Sequence, residues 1–326
     1  MMKHIYYKII PILLLFFTVG VFGQSPSQTF CFTEPTSKNE SLYNSKIRIA
    51  SVENSYCLKI YVHVIRRSNG TGGQSEQDIL EAINILNFDF SAQQISFNLD
   101  DNIDYIDNDN YYNIAGSYIF NINSHSDGID IYLFDDSSSQ GGQANGVGNS
   151  SEFYVSGSNW QSPYESLVKS SVISHEMGHV LFLWHTHHGC ETGNWEATNG
   201  TNCWTTGDFV CDTPSDPHLN FNVNINNCEW TKQNNPSCST PEPIGNYNPD
   251  EKIIMAYTHP GCMSYFTDGQ GQRMRNAIAT LPHLINASDT CDNCDENLTI
   301  ASTVSGNPPI LNEVSNTITS YSRIEN

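Results

Sequence analysis

The residues most able to do chemistry stand together at His175-Glu176-Met177-Gly178-His179. Two histidines four apart fall on one face of a helix, about one turn from each other. Their ring nitrogens can therefore converge on one metal ion. Glu176, one position round from the first histidine, can reach a water at that metal without ligating it, which suits a general base. A third histidine, His185, follows six residues after His179. A helix continued over that span would turn through about 600° and leave His185 roughly 240° away from His179. His185 joins the set only if the chain turns out of the helix between 181 and 184. The bland alternative is a capped helix with satisfied surface histidines. Chance alone would give a Glu and three His at these spacings on the order of once per thousand such chains.

The elements that must position this group can be read on either side of it. Leu58–Ile65 is an apolar run rich in β-branched and aromatic residues, the pattern of a strand. Ser75, with Asp78 three residues on, caps a helix whose apolar positions Ile79, Ile83, Leu86 and Phe90 recur at helical spacing. Further strands are expected at Ile95–Leu99, Tyr118–Ile122, Ile129–Phe134 and Phe153–Val155. The Gly-rich stretch from Gly141 to Gly148 reads as a loop and not as a phosphate cradle, because no Lys-Ser/Thr pair and no helix follow it. Ser162-Pro163-Tyr164-Glu165 has the form of a capping box and predicts a helix running from there past His179. Residues 186–253 read as mostly irregular, and Thr267 caps a last helix with Met274, Ile278 and Leu281 on one face. This order predicts an α+β fold.

The chain's start predicts export. Lys3 and Lys8 precede an apolar run from Ile9 to Phe22 that closes on Val21-Phe22-Gly23, the pattern of a signal peptide cleaved after residue 23. The run is shorter than the roughly 20 residues a membrane span needs, and no later segment is long and apolar enough. All ten cysteines lie beyond it, so in an oxidising compartment they read mainly as disulfides. Expected pairs are Cys190 with Cys203, Cys211 with Cys228, and Cys238 with Cys262. Cys31 either pairs with Cys57, the favoured option, or caps the metal as a thiolate, as in some latent zinc peptidases. A four-cysteine zinc site is disfavoured, because the close pair Cys291 and Cys294 has no matching second pair. Thirty-five acids against 14 Lys plus Arg give a net charge of −21, which argues against nucleic acid and anionic membranes as partners. Hydrophobic content of 38% still supports a packed core.

HEMGHVLFLWH, residues 175 to 185, resembles the HExxHxxGxxH zinc signature of metzincin metallopeptidases. Ile254-Met255-Ala256-Tyr257 resembles their Met-turn. Asp208–Pro214 and Cys262–Thr267 are similar to segments of the pappalysin family, and LKIYVHVIRR with its following helix to bacterial secreted members. The resemblance covers roughly 57 to 285 and implies a metzincin-like α+β catalytic domain with a twisted mixed sheet, a zinc-binding active-site helix and an irregular, disulfide-stapled C-terminal subdomain. It implies that His175, His179 and His185 bind zinc, that Glu176 is the base, that Met255 forms an apolar floor under the metal, and that Tyr257 donates to the oxyanion. One departure stands out: the signature's Gly is Phe182 here. Gly tolerates positive φ, whereas a bulky residue there costs about 1–2 kcal/mol. His185 remains the expected third ligand, with disulfides nearby able to hold such strain; His187, His188 or Glu191 would replace it if the turn failed.

Asp208, Asp212 and Thr213 offer hard oxygen ligands, and the resemblance points to calcium in this neighbourhood; a solvated acidic loop is the alternative. The expected organisation is a signal peptide over 1–23, a lead-in or short pro-segment over 24–56, a catalytic domain over 57–290, and a tail or the start of a small β-domain over 291–326. The expected function is a secreted zinc endopeptidase acting on peptide or protein substrates. The rivals are a catalytically weak binding module on the same scaffold, its third ligand spoiled at Phe182, and a calcium-dependent adhesive domain.

Overall fold

The computed structural model describes residues 30–34, 54–100, 102–112, 115–136, 141–156, 166–233 and 238–289. The signal-peptide run, the box at Ser162–Glu165, Cys291, Cys294 and the tail lie outside the described residues.

The apolar run at 58–65 forms the long strand β1 (Tyr56–Arg66), followed by helix α1 (Glu76–Ser91). Ser75 caps α1 reciprocally with Asp78, as its spacing demanded. Strands β2 (Ile95–Leu99) and β3 (Asp104–Asp107) both pair parallel with β1, at its first and last residues respectively. Strand β4 (Ile129–Leu133) pairs parallel with β1, β6 (Glu152–Val155) pairs parallel with β4, and β5 (Gly142–Ala144) closes that edge antiparallel to β6. The sheet is thus mixed. Its strand β5 is the first part of the glycine-rich stretch expected to be loop. Residues expected as a strand at Tyr118–Ile122 instead form a 3-10 turn, Ser117–Ile119, followed by further turns. Asn121 with φ 70 and Asn123 with φ 54 supply left-handed backbone that an extended strand cannot use.

Alternation along β1 divides the molecule. Ile60, Val62 and Val64 face a core shared with Leu86 and Phe90 of α1 and with Val172, Ile173 and Met177 of the active-site helix. Ile65 faces the other way, with Tyr132, Phe134 and Tyr154, toward Ile119 and Phe120. The active-site helix, α2, spans Val172–Val180 and packs on β5, β6 and α1. It starts later than the sequence predicted: residues 166–171 form turns, where the Ser170 hydroxyl donates to Leu167 O and accepts from the Val172 amide. A serine bonding its own backbone in this way competes with helix propagation.

Beyond α2 regular structure is sparse, as expected: a short helix α3 (His188–Thr192), the two-residue strands β7 (Val223–Asn224) and β8 (Glu229–Trp230), and then helices α4 (Asp268–Thr280) and α5 (Pro282–Ala287) with β9 (Ser288–Asp289) returning to β1. Thr267 caps α4 with Gln270 in a capping box. The expected cysteine pairs are corrected. The bonds are Cys190–Cys238, Cys203–Cys211 and Cys228–Cys262. The β7–β8 hairpin presents Cys228 to Cys262, so this bond, and not Cys238–Cys262, staples the irregular part near the Met-turn. Cys57 is disulfide-bonded while Cys31 is free and buried, which excludes the Cys31–Cys57 pair. Among the described residues no helix is long and apolar enough to cross a membrane.

Candidate active site

Helix α2 places His175 and His179 on one face, one turn apart, with ring centroids 4.8 Å from each other. Both rings are fixed from behind. His175 Nδ1 lies 2.7 Å from the Ile254 carbonyl and His179 Nδ1 lies 2.8 Å from the Leu183 carbonyl. A carbonyl only accepts, so each Nδ1 carries the proton and each Nε2 presents a bare lone pair.

The turn after α2 decides the third histidine. Phe182 adopts φ 72, the left-handed conformation expected of a glycine there. Its amide donates to His179 O at 3.0 Å, and the Leu183 amide donates to Gly178 O at 2.9 Å. This satisfies helix-end carbonyls while reversing the chain. Three contacts hold the strained residue: Arg273 Nε donates to the Phe182 carbonyl at 2.8 Å, the guanidinium sits 4.5 Å above its ring, and the buried ring abuts Gly148. Side-chain packing, rather than the disulfides expected in that role, holds the turn. His185 is delivered with its Nε2 3.0 Å from His179 Nε2. Its Nδ1 lies 2.6 Å from Glu191 Oε1, so its proton too points outward. Glu191 is not a substitute ligand but the acceptor that orients His185, and its other oxygen takes His188 Nδ1 at 3.0 Å. Burial opposes charge on Glu191, yet the histidines around it, His185 foremost, hold its carboxyl well below the usual range.

These residues fit a metal ion. The three ring nitrogens and the Cys31 sulfur all lie within 4.8 Å of one another. His175 Nε2 is buried without a hydrogen-bond partner. His179 and His185 point two lone pairs at each other, which is favourable only around a cation. Burial, and then the neighbouring histidines, push the His175 and His179 pKa values well below normal, and burial also lowers that of His185, so the rings are neutral donors. Three imidazole nitrogens with a thiol are a zinc-type set.

The other expected residues sit around this centre. Glu176 is fully buried, and burial pushes its carboxyl up to about 8 despite hydrogen bonds from Thr33 and Cys31. Thr33 Oγ1 donates to its Oε2 at 3.0 Å. Gly142 is required beside it, because a Cβ there would collide with the Glu176 side chain. Met255 lies below the helix with its sulfur against Gly178, and the Tyr257 hydroxyl donates to the Cys31 carbonyl at 2.9 Å.

Residues 30–33 lie across the centre. Cys31 forms a parallel bridge to Gly142, the Phe32 amide donates to Gly142 O at 2.9 Å, and Cys31 Sγ stands 3.4 Å from His179 Nε2. Sequence reasoning ranked this placement of Cys31 second. Thr33 and Arg273 are not indicated by the sequence, since no spacing rule ties them to α2, and Glu191 is expected there only as a substitute ligand.

The suggested calcium trio does not converge. Thr213 Oγ1 donates to Asp208 Oδ1 at 3.0 Å, but Asp212 turns to the start of α4, accepting from Thr267 Oγ1 at 2.8 Å and the Gly269 amide at 2.7 Å. Free amides at a helix start attract a carboxylate, which explains the separation. Asp208 is buried, and burial with Glu196 nearby pushes its pKa well above normal.

Among known proteins, the peptidase family M43, described as pregnancy-associated plasma protein-A, matches residues 104–279. An extracellular metalloprotease of Colletotrichum graminicola is 31% identical over 103 residues, 32% of this chain and 29% of that protein. One from Sordaria macrospora is 33% identical over 101 residues, 31% of this chain and 27% of that protein. The matched stretch thus spans less than a third of either relative. A solved structure of a Tannerella forsythia promirolysin mutant superposes with a TM-score of 0.49 and 16% identity, covering 79% of this chain and 97% of that one. The family match takes in α2, the turn at Phe182, the Met-turn and nearly all of α4. The chain belongs to the M43, or pappalysin, family of metzincin zinc metallopeptidases.

Proposed function

We propose that this chain is a secreted zinc endopeptidase, held latent by its own residues 30–33. The observation that carries the reading is the set of three imidazoles, each tied through Nδ1 to a fixed acceptor with Nε2 turned inward, beside the buried Glu176. His175, His179 and His185 would hold the ion, which when bound supplies Lewis acidity to a peptide carbonyl and to water. Glu176, one position round α2 from His175, takes a proton from the attacking water in its ionised form and returns it to the leaving amine nitrogen. Tyr257 donates its hydroxyl hydrogen to the carbonyl oxygen as negative charge builds there. Its present acceptor, the Cys31 carbonyl, stands where a substrate carbonyl would. Glu191 fixes the His185 tautomer, and Met255 supplies an apolar floor.

Latency rests on Cys31 and Thr33. The thiol takes the place beside the histidines that water or substrate needs, and Thr33 occupies the Glu176 oxygen that would accept the proton. Removal of the lead-in by cleavage would open the cleft of a catalytic unit over residues 57–290. The rival reading, a weak binding module spoiled at Phe182, needs a displaced His185; the 3.0 Å approach of His185 to His179 speaks against it. The disulfides and the extracellular relatives support export. Calcium at Asp208 has no support beyond the resemblance. The test uses the full chain carrying Cys31→Ala. Adding Glu176→Gln should leave zinc bound and abolish peptide hydrolysis; undiminished turnover would overturn the assignment.

A further inference from the structure

We propose that the cavity filled by Phe30 is the side-chain subsite beside the scissile bond, and that the substrates are peptides presenting an aromatic residue there. This rests on the endopeptidase reading above. Phe30 is 0% exposed, although it belongs to a segment laid over the cleft from outside the catalytic unit. Its ring meets His175 edge-on at 5.0 Å, Tyr257 at 5.2 Å and Phe221 at 5.3 Å. The adjoining residue, Cys31, is the one whose thiol faces His179 and whose carbonyl takes the Tyr257 hydroxyl. The cavity therefore opens one residue from the point where chemistry must occur.

The segment adds to the edge strand β5 as an extended peptide. The Gly142 amide donates to the Phe30 carbonyl, and the Phe32 amide returns a bond to Gly142 O at 2.9 Å. Strand addition of this kind grips any backbone and leaves selection to the side chains. The side chains here are gripped unequally: Phe32, two residues on, is 39% exposed, whereas Phe30 is sealed. Of the two phenylalanines, the gripped one is Phe30.

The walls define what fits. The Phe221 ring stacks on Tyr257 with 19° between planes, and the Phe221 amide donates to the Tyr257 carbonyl at 3.0 Å, fixing the wall to the Met-turn. The rings of His175, Tyr257 and Phe221 wall Phe30. An aromatic side chain placed among them gains both burial and edge-to-face contacts. Phe221 is thereby a specificity-determining residue.

Two measurements decide this separately from the parent reading. First, the full-length Cys31→Ala protein is given a random peptide library, and the cut sites are sequenced. The proposal expects Phe, Tyr or Trp enriched at one fixed position adjoining the cut, with Phe221→Ala lowering kcat/KM for a Phe peptide about tenfold against its Ala counterpart. Cleavage with no such enrichment, or with Lys or Arg enriched, overturns the subsite and leaves the protease standing. No cleavage at all overturns the parent reading. Second, binding of a peptide copying residues 27–34 to full-length Cys31→Ala, Glu176→Gln protein is followed by fluorescence anisotropy. Replacing its Phe30 by Ala should weaken binding about tenfold or more, whereas replacing its Phe32 by Ala should leave binding nearly unchanged. Equal affinities for the parent peptide and its Phe30→Ala form overturn the subsite whether or not the protein hydrolyses anything.

Discussion

Two histidine clusters lie on opposite faces of the sheet and solve opposite problems. In the cleft, His175, His179 and His185 each give one nitrogen to a fixed acceptor and leave the other bare. On the outer face, His63 of β1 uses both nitrogens: Nδ1 lies 2.9 Å from Asp104 and Nε2 lies 2.9 Å from Asp130. Asp130 also takes His125 Nδ1 at 2.7 Å, and His125 stacks on Tyr61 at 3.5 Å. Bonding two carboxylates makes His63 an imidazolium, a buried cation between anions. Closeness of His and Asp alone therefore does not mark a metal site. What marks it is several ring nitrogens converging on one point with no acidic hydrogen to share between them.

This contrast can be broken from either side. The largest effect is expected in the cleft: His179→Ala, in the Cys31→Ala background, should remove zinc and lower peptide hydrolysis at least about 1000-fold, checked by elemental analysis and a quenched-peptide assay. On the outer face His63→Ala should leave zinc content unchanged but strand the buried Asp130, lowering stability by about 3 kcal/mol in urea unfolding. Loss of zinc in that variant would erase the distinction.

Smaller effects sharpen the picture. Glu191→Ala frees the His185 ring and should weaken zinc binding about 10- to 100-fold in a chelator competition. Phe182→Gly relieves about 1–2 kcal/mol of backbone strain but empties a buried ring site worth about 3–5 kcal/mol. The net is a loss of about 2 kcal/mol, read as a lower melting temperature. The smallest effect is in pH. Burial opposes charge on His63, but its bonds to Asp130 and Asp104 outweigh it and raise the pKa above 6.5. Its stabilisation is complete below the unfolded-state value and fades as pH rises through the folded-state value. Stability measured from about pH 6 upward should fall, and His63→Ala should flatten that slope.

Much of the cleft was legible in the sequence because it depends on local spacing. The i, i+4 histidines, the caps at Ser75 and Thr267 and the β-branched run of β1 are short-range patterns, and each appears in the structure where it was expected. The helical angle between His179 and His185 requires a turn, and the chain does leave the helix at Leu181–Phe182. What sequence could not reach was long-range. Nothing near Phe182 indicates that Arg273, 91 residues on, would bond its carbonyl. The cysteine pairs were misassigned because sequence proximity was used where the path of an irregular chain decides. Cys31 was placed second because a free thiol in an exported chain looks like a missing bond until His179 is seen 3.4 Å away.

In the proposed mechanism Glu176 acts on water beside a metal held by three histidines. The most direct test measures zinc and peptide hydrolysis together in full-length Cys31→Ala protein, with and without Glu176→Gln. One zinc per chain is expected in both proteins, with hydrolysis only where Glu176 remains. Hydrolysis that survives the substitution, with zinc in place, would contradict this mechanism.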